Sequence, residues 1–206
     1  MASLKPINLP ADASTISSDS PITITTAPGT DLWRKPPSTN STNAPAYVTY
    51  KPLSSFRRAR VTVSAEWVRL YDQGGLVFYL PGAAASEAYQ AWVKTGIEMF
   101  DGKPNVGTVA TPPQGYSDWS LVPTGATSVT IEAVRQSDGP ALYIYLVEGE
   151  KKSLIRETTW VFHGSNPEAL LGVGVYAARP TKLEGESDSG ESLTVHFKGL
   201  EIEWDN

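Results

Sequence analysis

The stretch Trp92-Val93-Lys94-Thr95-Gly96-Ile97-Glu98-Met99-Phe100 points to both the fold of this chain and its site. In a β-strand, successive side chains point to opposite faces of the sheet. One face of this stretch carries residues that suit a core, namely Val93, Thr95, Ile97 and Met99. The other face carries Trp92, Lys94, Gly96, Glu98 and Phe100. The alternation predicts a strand with a core on one side and a site on the other, because a plain solvent face rarely carries these aromatic residues.

Short alternating segments of the same kind recur along the rest of the chain. They are residues 22–25, 59–66, 75–80, 106–111, 117–121, 129–133, 142–147, 154–162, 172–178, 195–197 and 200–204. Turn residues separate them, as in Pro81-Gly82 and Asp101-Gly102. Many short strands at this spacing predict an all-β fold, a sandwich or jelly roll of antiparallel sheets. Residues 83–89 and 166–171 are each compatible with one helical turn.

The composition suggests one domain preceded by an arm. Residues 1–20 are rich in Ser, Ala, Pro and Asp, and we expect a flexible N-terminal arm there. Residues 21–206 are then a single β-sandwich domain, long enough to bury a full core. The N-terminus carries no apolar segment typical of a signal peptide, and no apolar run is long enough to span a membrane. We therefore expect a cytoplasmic protein.

Charge and residue usage narrow the function classes. The chain has 17 Lys and Arg against 22 Asp and Glu, for a formal net charge of −5, which does not favour nucleic acid or an anionic membrane as a partner. It has no cysteine, which excludes disulfides and thiol catalysis. His163 and His196 lack metal-ligand spacing, so we expect no metal site. No phosphate-binding loop or nucleophile elbow occurs, and we expect no cofactor.

Four motifs in order resemble those of a protein family of unknown biochemical function. They are Tyr71-Asp72-Gln73-Gly74-Gly75-Leu76, Trp92 to Glu98, Asp101-Gly102, and Ser117-Asp118-Trp119-Ser120. The family includes the yeast "regulation of enolase" protein, and the similarity runs from about Asp31 to Trp204. It implies a concanavalin A-like lectin/glucanase fold, a jelly roll of two curved antiparallel sheets. It implies no established reaction, and a fold alone does not give a function.

The outer face of one sheet in a curved sandwich is concave and can hold a ligand. Alternation assigns to this face the side chains of Tyr79, Trp92, Lys94, Glu98, Tyr143, Tyr145 and Arg156. Aromatic rings stack on a sugar or a planar ligand, and charged groups fix its orientation. The alternative is a half-exposed sheet with scattered aromatic residues.

Lys94 and Glu98 form the charged part of this predicted site. They lie roughly 13 Å apart along a strand, so neither can pair with the other within it. Each needs a partner from a neighbouring strand, or the two bracket a ligand. Asp72 and Asp118 are the nearest candidates by motif, but both also suit turn-forming roles. Trp119 suits packing in the core or at the rim.

The string Glu186-Ser187-Asp188-Ser189-Gly190-Glu191 matches the Glu-x-Asp-x-x-Glu motif with which lectin/glucanase relatives cleave β-glucans. That chemistry requires the carboxylates to lie on a strand anchored in the sheet. The Ser and Gly residues here provide no such anchor. We interpret the string as a solvated acidic turn.

Three functions fit these observations. The first is a non-catalytic binding or regulatory module that holds a saccharide or a metabolite on the concave face. The second is an enzyme in the same groove, with Glu98 as general acid or base and Lys94 as its electrostatic partner, acting on a glycoside or a small secondary metabolite. The third is a protein-interaction module that regulates a metabolic enzyme, with a protein partner or a homodimer. A second carboxylate within about 5–10 Å of Glu98 would favour glycoside chemistry.

Overall fold

The computed structural model describes residues 2–80, 91–113, 115–163, 169–187 and 190–205. Within these ranges the chain forms β-strands and one turn of 3-10 helix, Leu53–Ser55, and no α-helix. The strands are β1 (Ser3–Ile7), β2 (Ile16–Ser17), β3 (Ile22–Thr26), β4 (Leu32–Lys35), β5 (Thr39–Thr42), β6 (Ala46–Pro52), β7 (Phe56–Ala65), β8 (Gln73–Leu80), β9 (Ala91–Phe100), β10 (Lys103–Thr111), β11 (Asp118–Pro123), β12 (Ser128–Arg135), β13 (Leu142–Glu148), β14 (Lys151–Thr158), β15 (Leu170–Ala178) and β16 (Leu193–Trp204). The all-β prediction is confirmed.

Most of the strands form two large antiparallel sheets that pack face to face. The eight-stranded sheet has the order β11-β10-β9-β8-β15-β6-β1-β2, and the six-stranded sheet has the order β14-β13-β12-β7-β16-β3. Strands β8 and β9 of the first sheet contact β7 of the second, and β15 contacts β16. The architecture is the two-sheet jelly-roll type that the sequence predicted.

A tight hairpin turn fixes the register of the central strands β9 and β10. Asp101 and Gly102 have φ angles of 51° and 71°. Two residues with positive φ form a turn whose twist matches that of the flanking strands, and Asp-Gly is a preferred sequence for it. The pairing that extends from this turn places Gly107 opposite Gly96.

The main core lies between the two large sheets. Strand β9 contributes Val93, Ile97 and Met99 to it. Thr95 is buried on the same face and shares a hydrogen bond of 3.0 Å with Thr108 of β10. These are the four β9 residues that alternation assigned to the core. Burial of this apolar surface stabilises the sandwich by about 25 cal/mol per Å².

A second apolar cluster lies on the outer face of the eight-stranded sheet, and the small two-stranded sheet β4-β5 contributes to it. Leu32 of β4 is fully buried in this cluster. Its other members are Ala44, Ala46, Val48, Val77, Tyr79, Trp92, Tyr176 and Ala178. The outer face of β9 is therefore covered at its Trp92 end.

The N-terminal residues are part of the sheet, which corrects the flexible arm expected over residues 1–20. Strand β1 pairs with β6 through residues 5–7 and with β2 through residues 3–4, and Leu4 is fully buried. The Ser- and Pro-rich composition suggested a flexible segment, but Pro6 lies within a strand near the edge of the sheet, where proline is tolerated. The sandwich therefore includes strands that precede residue 21.

The two predicted helical turns lie wholly or partly outside the described residues. Residues 83–89 are outside them. The segment 166–171 is partly outside, and its last two residues, Leu170 and Leu171, begin β15. In the described part of the chain, no helix has the length and apolar character needed to cross a bilayer.

Candidate ligand-binding site

A row of three glycines crosses the outer face of the eight-stranded sheet. Gly75, Gly96 and Gly107 are in register on β8, β9 and β10. A Cβ atom on Gly96 would lie 2.0 Å from the Gly74 carbonyl oxygen, and one on Gly107 would lie 2.7 Å from Glu98 Oε2. These three positions, called the glycine floor, therefore add no side chains to this part of the outer face.

Charged side chains lie on both sides of this glycine floor. Lys94 is on one side, and Glu98, in register with Gln73, is on the other. All three side chains line one cavity of about 390 Å³. The described residues that line it are Asp31, Trp33, Tyr71, Gln73, Lys94, Glu98, Trp119, Pro180 and Thr181.

Lys94 is 2% exposed and is held by two side chains. Its Nζ donates to Gln73 Oε1 at 2.5 Å and to Asp31 Oδ1 at 3.2 Å. The Tyr176 hydroxyl donates to the same Gln73 oxygen at 3.1 Å. Burial raises the pKa of Tyr176 well above its ordinary value, which keeps this hydroxyl protonated as a donor. The buried ammonium thus has the partners that a buried charge requires.

Glu98 is 7% exposed and accepts one hydrogen bond, from Trp119 Nε1 to its Oε2 at 2.9 Å. Among the described residues Trp119 is its only hydrogen-bond donor. Burial raises the pKa of the Glu98 carboxyl, and the positive charge of Lys94 and the Trp119 bond oppose that shift. Most of the accepting capacity of this carboxylate therefore remains for a group inside the cavity.

Three aromatic rings cluster near Glu98, and two of them, Tyr71 and Trp119, line the cavity. The Tyr71 and Phe100 rings are stacked at 6.1 Å, and the Phe100 and Trp119 rings meet edge to face at 5.1 Å. Tyr71 has a φ of 65°, which is uncommon for a residue with a large side chain. Such a conformation persists only where the surrounding contacts hold it.

Buried ion pairing holds Tyr71 in place. Arg179 donates through Nε and Nη2 to the two Asp72 carboxylate oxygens, both at 2.8 Å, and Asp72 is fully buried. Asp72 Oδ2 also accepts from the backbone N–H groups of Val68 and Arg69 at 3.1 and 2.8 Å. Asp72 therefore holds the segment before it and pairs with Arg179, whereas Gly74 and Gly75, where a turn was considered, lie in strand β8. Because Tyr71 directly precedes Asp72, this ion pair fixes one rim of the cavity.

The Glu186–Glu191 string is exposed at Glu191, as expected for a solvated turn, but Glu186 is anchored, which the sequence interpretation did not include. Arg69 donates to both Glu186 oxygens, at 2.5 and 2.9 Å, and these side chains are 6% and 11% exposed. Arg69 also reaches Glu191 at 3.1 Å. The Arg69 bonds lower the pKa of Glu186 to about 2. Sequence alone does not show this anchor because Arg69 lies more than a hundred positions away. Asp188 of the string lies outside the described residues.

Tyr79 and Trp92 do not line the cavity, which corrects two of the predicted ligand contacts. Both are buried in the second apolar cluster beside Leu32. The Arg34 guanidinium lies 4.5 Å above the Trp92 ring. Alternation placed these residues on the correct face of the sheet. Nothing in the sequence indicated that the hairpin β4-β5 would cover them.

Tyr143, Tyr145 and Arg156 lie on the six-stranded sheet and are not brought to Lys94 and Glu98. The rings of Tyr143 and Tyr145 lie edge to face at 6.5 Å on β13. Arg156 on β14 forms an ion pair with Asp118 at the start of β11. Side-chain alternation assigns a face within each strand but not the sheet that the strand joins, and this is the cause of the error.

Sequence reasoning missed several residues of the cavity. Gln73 and Tyr71 lie within the Tyr71–Leu76 motif that carried the family resemblance, so a signal for them existed. Trp119 was assigned to packing, yet it donates to Glu98. Asp31 and Trp33 lie before and within the hairpin, and nothing in the sequence placed that segment beside β9.

The two histidines lie outside this cavity lining. His196 is 3.3 Å from the Thr23 hydroxyl on the outer face of β16. Within the described ranges, no three acidic or histidine side chains are grouped as a metal site would need.

The fold and the cavity define a class, the concanavalin A-like β-sandwiches with a pocket on one outer sheet face. The chain is similar to the solved structure of a functionally unknown protein from Saccharomyces cerevisiae, with a TM-score of 0.75, 22% identity, and coverage of 99% of this chain and 97% of that chain. It also resembles the alginate lyase Aly36B in complex with an alginate trisaccharide, with a TM-score of 0.53, 11% identity, and coverage of 93% and 84%. Both similarities are at the level of the fold.

The chain belongs to a family described as a protein of unknown function, DUF1349, whose model matches residues 7–204. An uncharacterised protein of Emericella nidulans is 46% identical over 183 residues, which cover 88% of this chain and 85% of that protein. The family resemblance seen in the four motifs is therefore confirmed.

Proposed function

We propose that the cavity above the glycine floor binds a small hydroxylated ligand, a saccharide or a polar metabolite. One observation carries this proposal. A buried lysine, a glutamine and a buried carboxylate from the centre of one sheet line one cavity, and the glycine row between the lysine and the carboxylate adds no side chains to that face. A sheet face that served only to pack would fill this space with apolar side chains.

The lining groups provide complementary contacts for such a ligand. The Lys94 ammonium uses two of its three N–H donors on Gln73 and Asp31, so one remains for a ligand oxygen. Glu98 accepts hydrogen bonds from hydroxyl groups. Trp33, Tyr71 and Trp119 offer aromatic surface to the apolar face of a sugar. A volume of about 390 Å³ is small among ligand pockets and suits a ligand the size of a monosaccharide.

A thermal-shift and NMR screen of saccharides and polar metabolites tests the proposal. Lys94→Met and Glu98→Gln should each weaken binding of any ligand found by about tenfold or more, since each removes a charged hydrogen-bond partner. Glu157→Gln, an exposed change on β14 of the opposite sheet, is the matched control and should bind as the wild type does. Equal binding by all four proteins would rule out this cavity as the site.

An enzyme in the same cavity is the second candidate, and Asp31 favours it. Asp31 and Glu98 both line the cavity, and the Asp31 charge acts on the Glu98 carboxyl. A carboxyl with a raised pKa can donate a proton, while a carboxylate held by Lys94 can accept one. Product formation from a glycoside that the wild type binds, lost in both Asp31→Asn and Glu98→Gln, would support this candidate. Binding of the glycoside without product formation would contradict this candidate and would support binding as the function.

A further inference from the structure

The described residues that line the cavity include more acidic than basic side chains. Asp31 and Glu98 provide two carboxylates, and Lys94 is the single cation among the described lining residues. Lys94 is already engaged with Asp31 at 3.2 Å. When Glu98 is ionised, the lining therefore carries one negative charge without a counter-ion.

This surplus charge lies at one end of the cavity. The backbone positions of Lys94 and Glu98 are four residues apart on β9, roughly 13 Å along the strand, and the two side chains do not bond to each other although the Lys94 charge acts on the Glu98 carboxyl. Asp31 neutralises the Lys94 ammonium, and Gln73, which is in register with Glu98, helps to orient it. The Glu98 end holds aromatic rings, with Tyr71 and Trp119 6.2 Å apart at 74°.

A carboxylate beside aromatic rings is a chemical arrangement that recognises a cation. The face of an aromatic ring attracts an ammonium group, and quaternary ammonium ligands are bound by such rings. Glu98 has one donor, the Trp119 indole, among the described residues, so a ligand cation would be its first counter-ion within contact distance. The opposite end, where one Lys94 N–H is left over, offers a hydrogen bond to a hydroxyl or carbonyl oxygen.

We infer that the ligand of this cavity is a small hydroxylated organic cation, such as an amino sugar or an amino alcohol. Its ammonium group lies against Glu98 and the Tyr71 and Trp119 rings, and its oxygen lies toward Lys94. The inference rests on the proposed binding function and narrows it to one charge class. An acidic sugar is disfavoured, because its carboxylate would meet Asp31 and Glu98 while Lys94 is already paired.

Two sets of ligands that differ mainly in charge test the inference. One is glucosamine, glucose and glucuronate, and the other is choline and its neutral analogue 3,3-dimethylbutanol. Binding is followed by the indole N–H resonance of Trp119 in ¹H–¹⁵N NMR spectra, assigned with Trp119→Phe, because this N–H bonds to Glu98 directly. Each cation should bind about tenfold more tightly than its neutral partner, and glucuronate should bind least.

The Glu98→Gln variant provides the matched comparison. It should reduce the preference for the cation to about twofold or less, while Glu157→Gln should keep the full preference. Equal affinity for cation and neutral partner in the wild type, or an unchanged preference in Glu98→Gln, would overturn the inference. If neutral sugars bind and the cations do not, the inference fails and the proposed binding function stands. If neither the screen nor these probes yields a ligand, both fail.

The pH dependence of choline binding gives a second readout, since choline keeps its charge at every pH. Its affinity should rise with pH as Glu98 ionises and then level off. Asp31, Lys94 and Tyr71 are the other titratable groups in the lining, and the buried Tyr176 lies close enough for the Glu98 charge to act on it. A rise that persists in Glu98→Gln would belong to one of these groups and would overturn the assignment of the cation to Glu98.

Discussion

The two outer faces of the sandwich carry similar residue types and use them differently. On the six-stranded sheet, Glu132 accepts from Arg58 at 3.1 Å and from Lys152 at 2.6 Å, and Arg58 also reaches Glu201 and Glu203. These charges neutralise one another across adjacent strands. On the eight-stranded sheet, Lys94 and Glu98 do not bond to each other and both line a cavity.

The difference comes from the residues between the charges. On the six-stranded face, the rows beside Glu132 carry Thr62 and Thr130, whose hydroxyls share a hydrogen bond of 2.7 Å and fill the space. On the other face, the intervening row is glycine on three strands. Alternation of polar residues therefore does not define a site, and we propose that the glycine row between buried charges leaves room for one.

The largest expected effect is at the buried ion pair that supports the cavity rim. Asp72→Asn removes the buried counter-charge of the Arg179 guanidinium, which is 3% exposed, and leaves it only the exposed Glu191 carboxylate at 4.0 Å. Breaking such a pair should lower the free energy of unfolding by about 3–5 kcal/mol. Urea titration followed by tryptophan fluorescence measures it. A loss below about 1 kcal/mol would show that the rim is held by other contacts.

The glycine floor gives the next largest effect, and it separates two positions in one row. Gly96→Ala places a Cβ atom 2.0 Å from a backbone oxygen, and we expect a loss of about 1–3 kcal/mol or more. Gly107→Ala meets side chains rather than backbone, namely Glu98 Oε2 at 2.7 Å, Glu98 Cβ at 3.2 Å and Leu121 Cδ2 at 3.5 Å, and should cost less stability. It should instead weaken ligand binding. Thermal unfolding and the ligand screen distinguish the two variants, and equal stability losses would contradict this account of the floor.

The anchor of the acidic string should appear as a pH effect. The pKa of Glu186 is lowered to about 2 in the folded protein, from an ordinary value of 4.5. Its contribution to stability is therefore fully present above about pH 4.5 and is lost as the pH falls toward 2. Glu186→Gln should be less stable than the wild type at neutral pH, and the gap should close over that window. Denaturant titrations at several pH values, with Glu157→Gln as control, measure the gap, and a gap independent of pH would contradict the anchor.

The smallest effect is expected for the exposed charges of the six-stranded face. Glu203 is 56% exposed, and Arg58 keeps Glu132 and Glu201 when Glu203 is removed. Glu203→Gln should change the free energy of unfolding by about 0–1 kcal/mol, because solvent screens exposed pairs. A loss of unfolding free energy as large as that of Asp72→Asn would contradict the view that the charges of the six-stranded face contribute little to stability.

Much of the fold could be predicted from local sequence. The alternation in β9 identified its core face, and Asp101-Gly102 marked the hairpin that sets the register of β9 and β10. The N-terminal strands could not be found in this way. Strand β1 is short and contains Pro6, and its stability depends on pairing with β6, which lies some forty residues later.

The site could be predicted only in its centre. Lys94 and Glu98 lie on one strand, so alternation was sufficient to place them on a common face. Tyr143 was placed on the same face in error, because local pattern does not reveal which sheet a strand joins. Asp31 was missed because its position depends on how the hairpin β4-β5 lies over the sheet, which is a tertiary property.

The order of strands also has a consequence during synthesis. In the six-stranded sheet β16 lies between β3 and β7, and in the eight-stranded sheet β15 lies between β6 and β8. Neither sheet is continuous until these late strands have left the ribosome. Until then, one hydrogen-bonding edge stays unpaired on each of the strands β3, β6, β7 and β8. Such edges can associate with other chains. We expect folding to be slow, as for other sheets built from distant pairings.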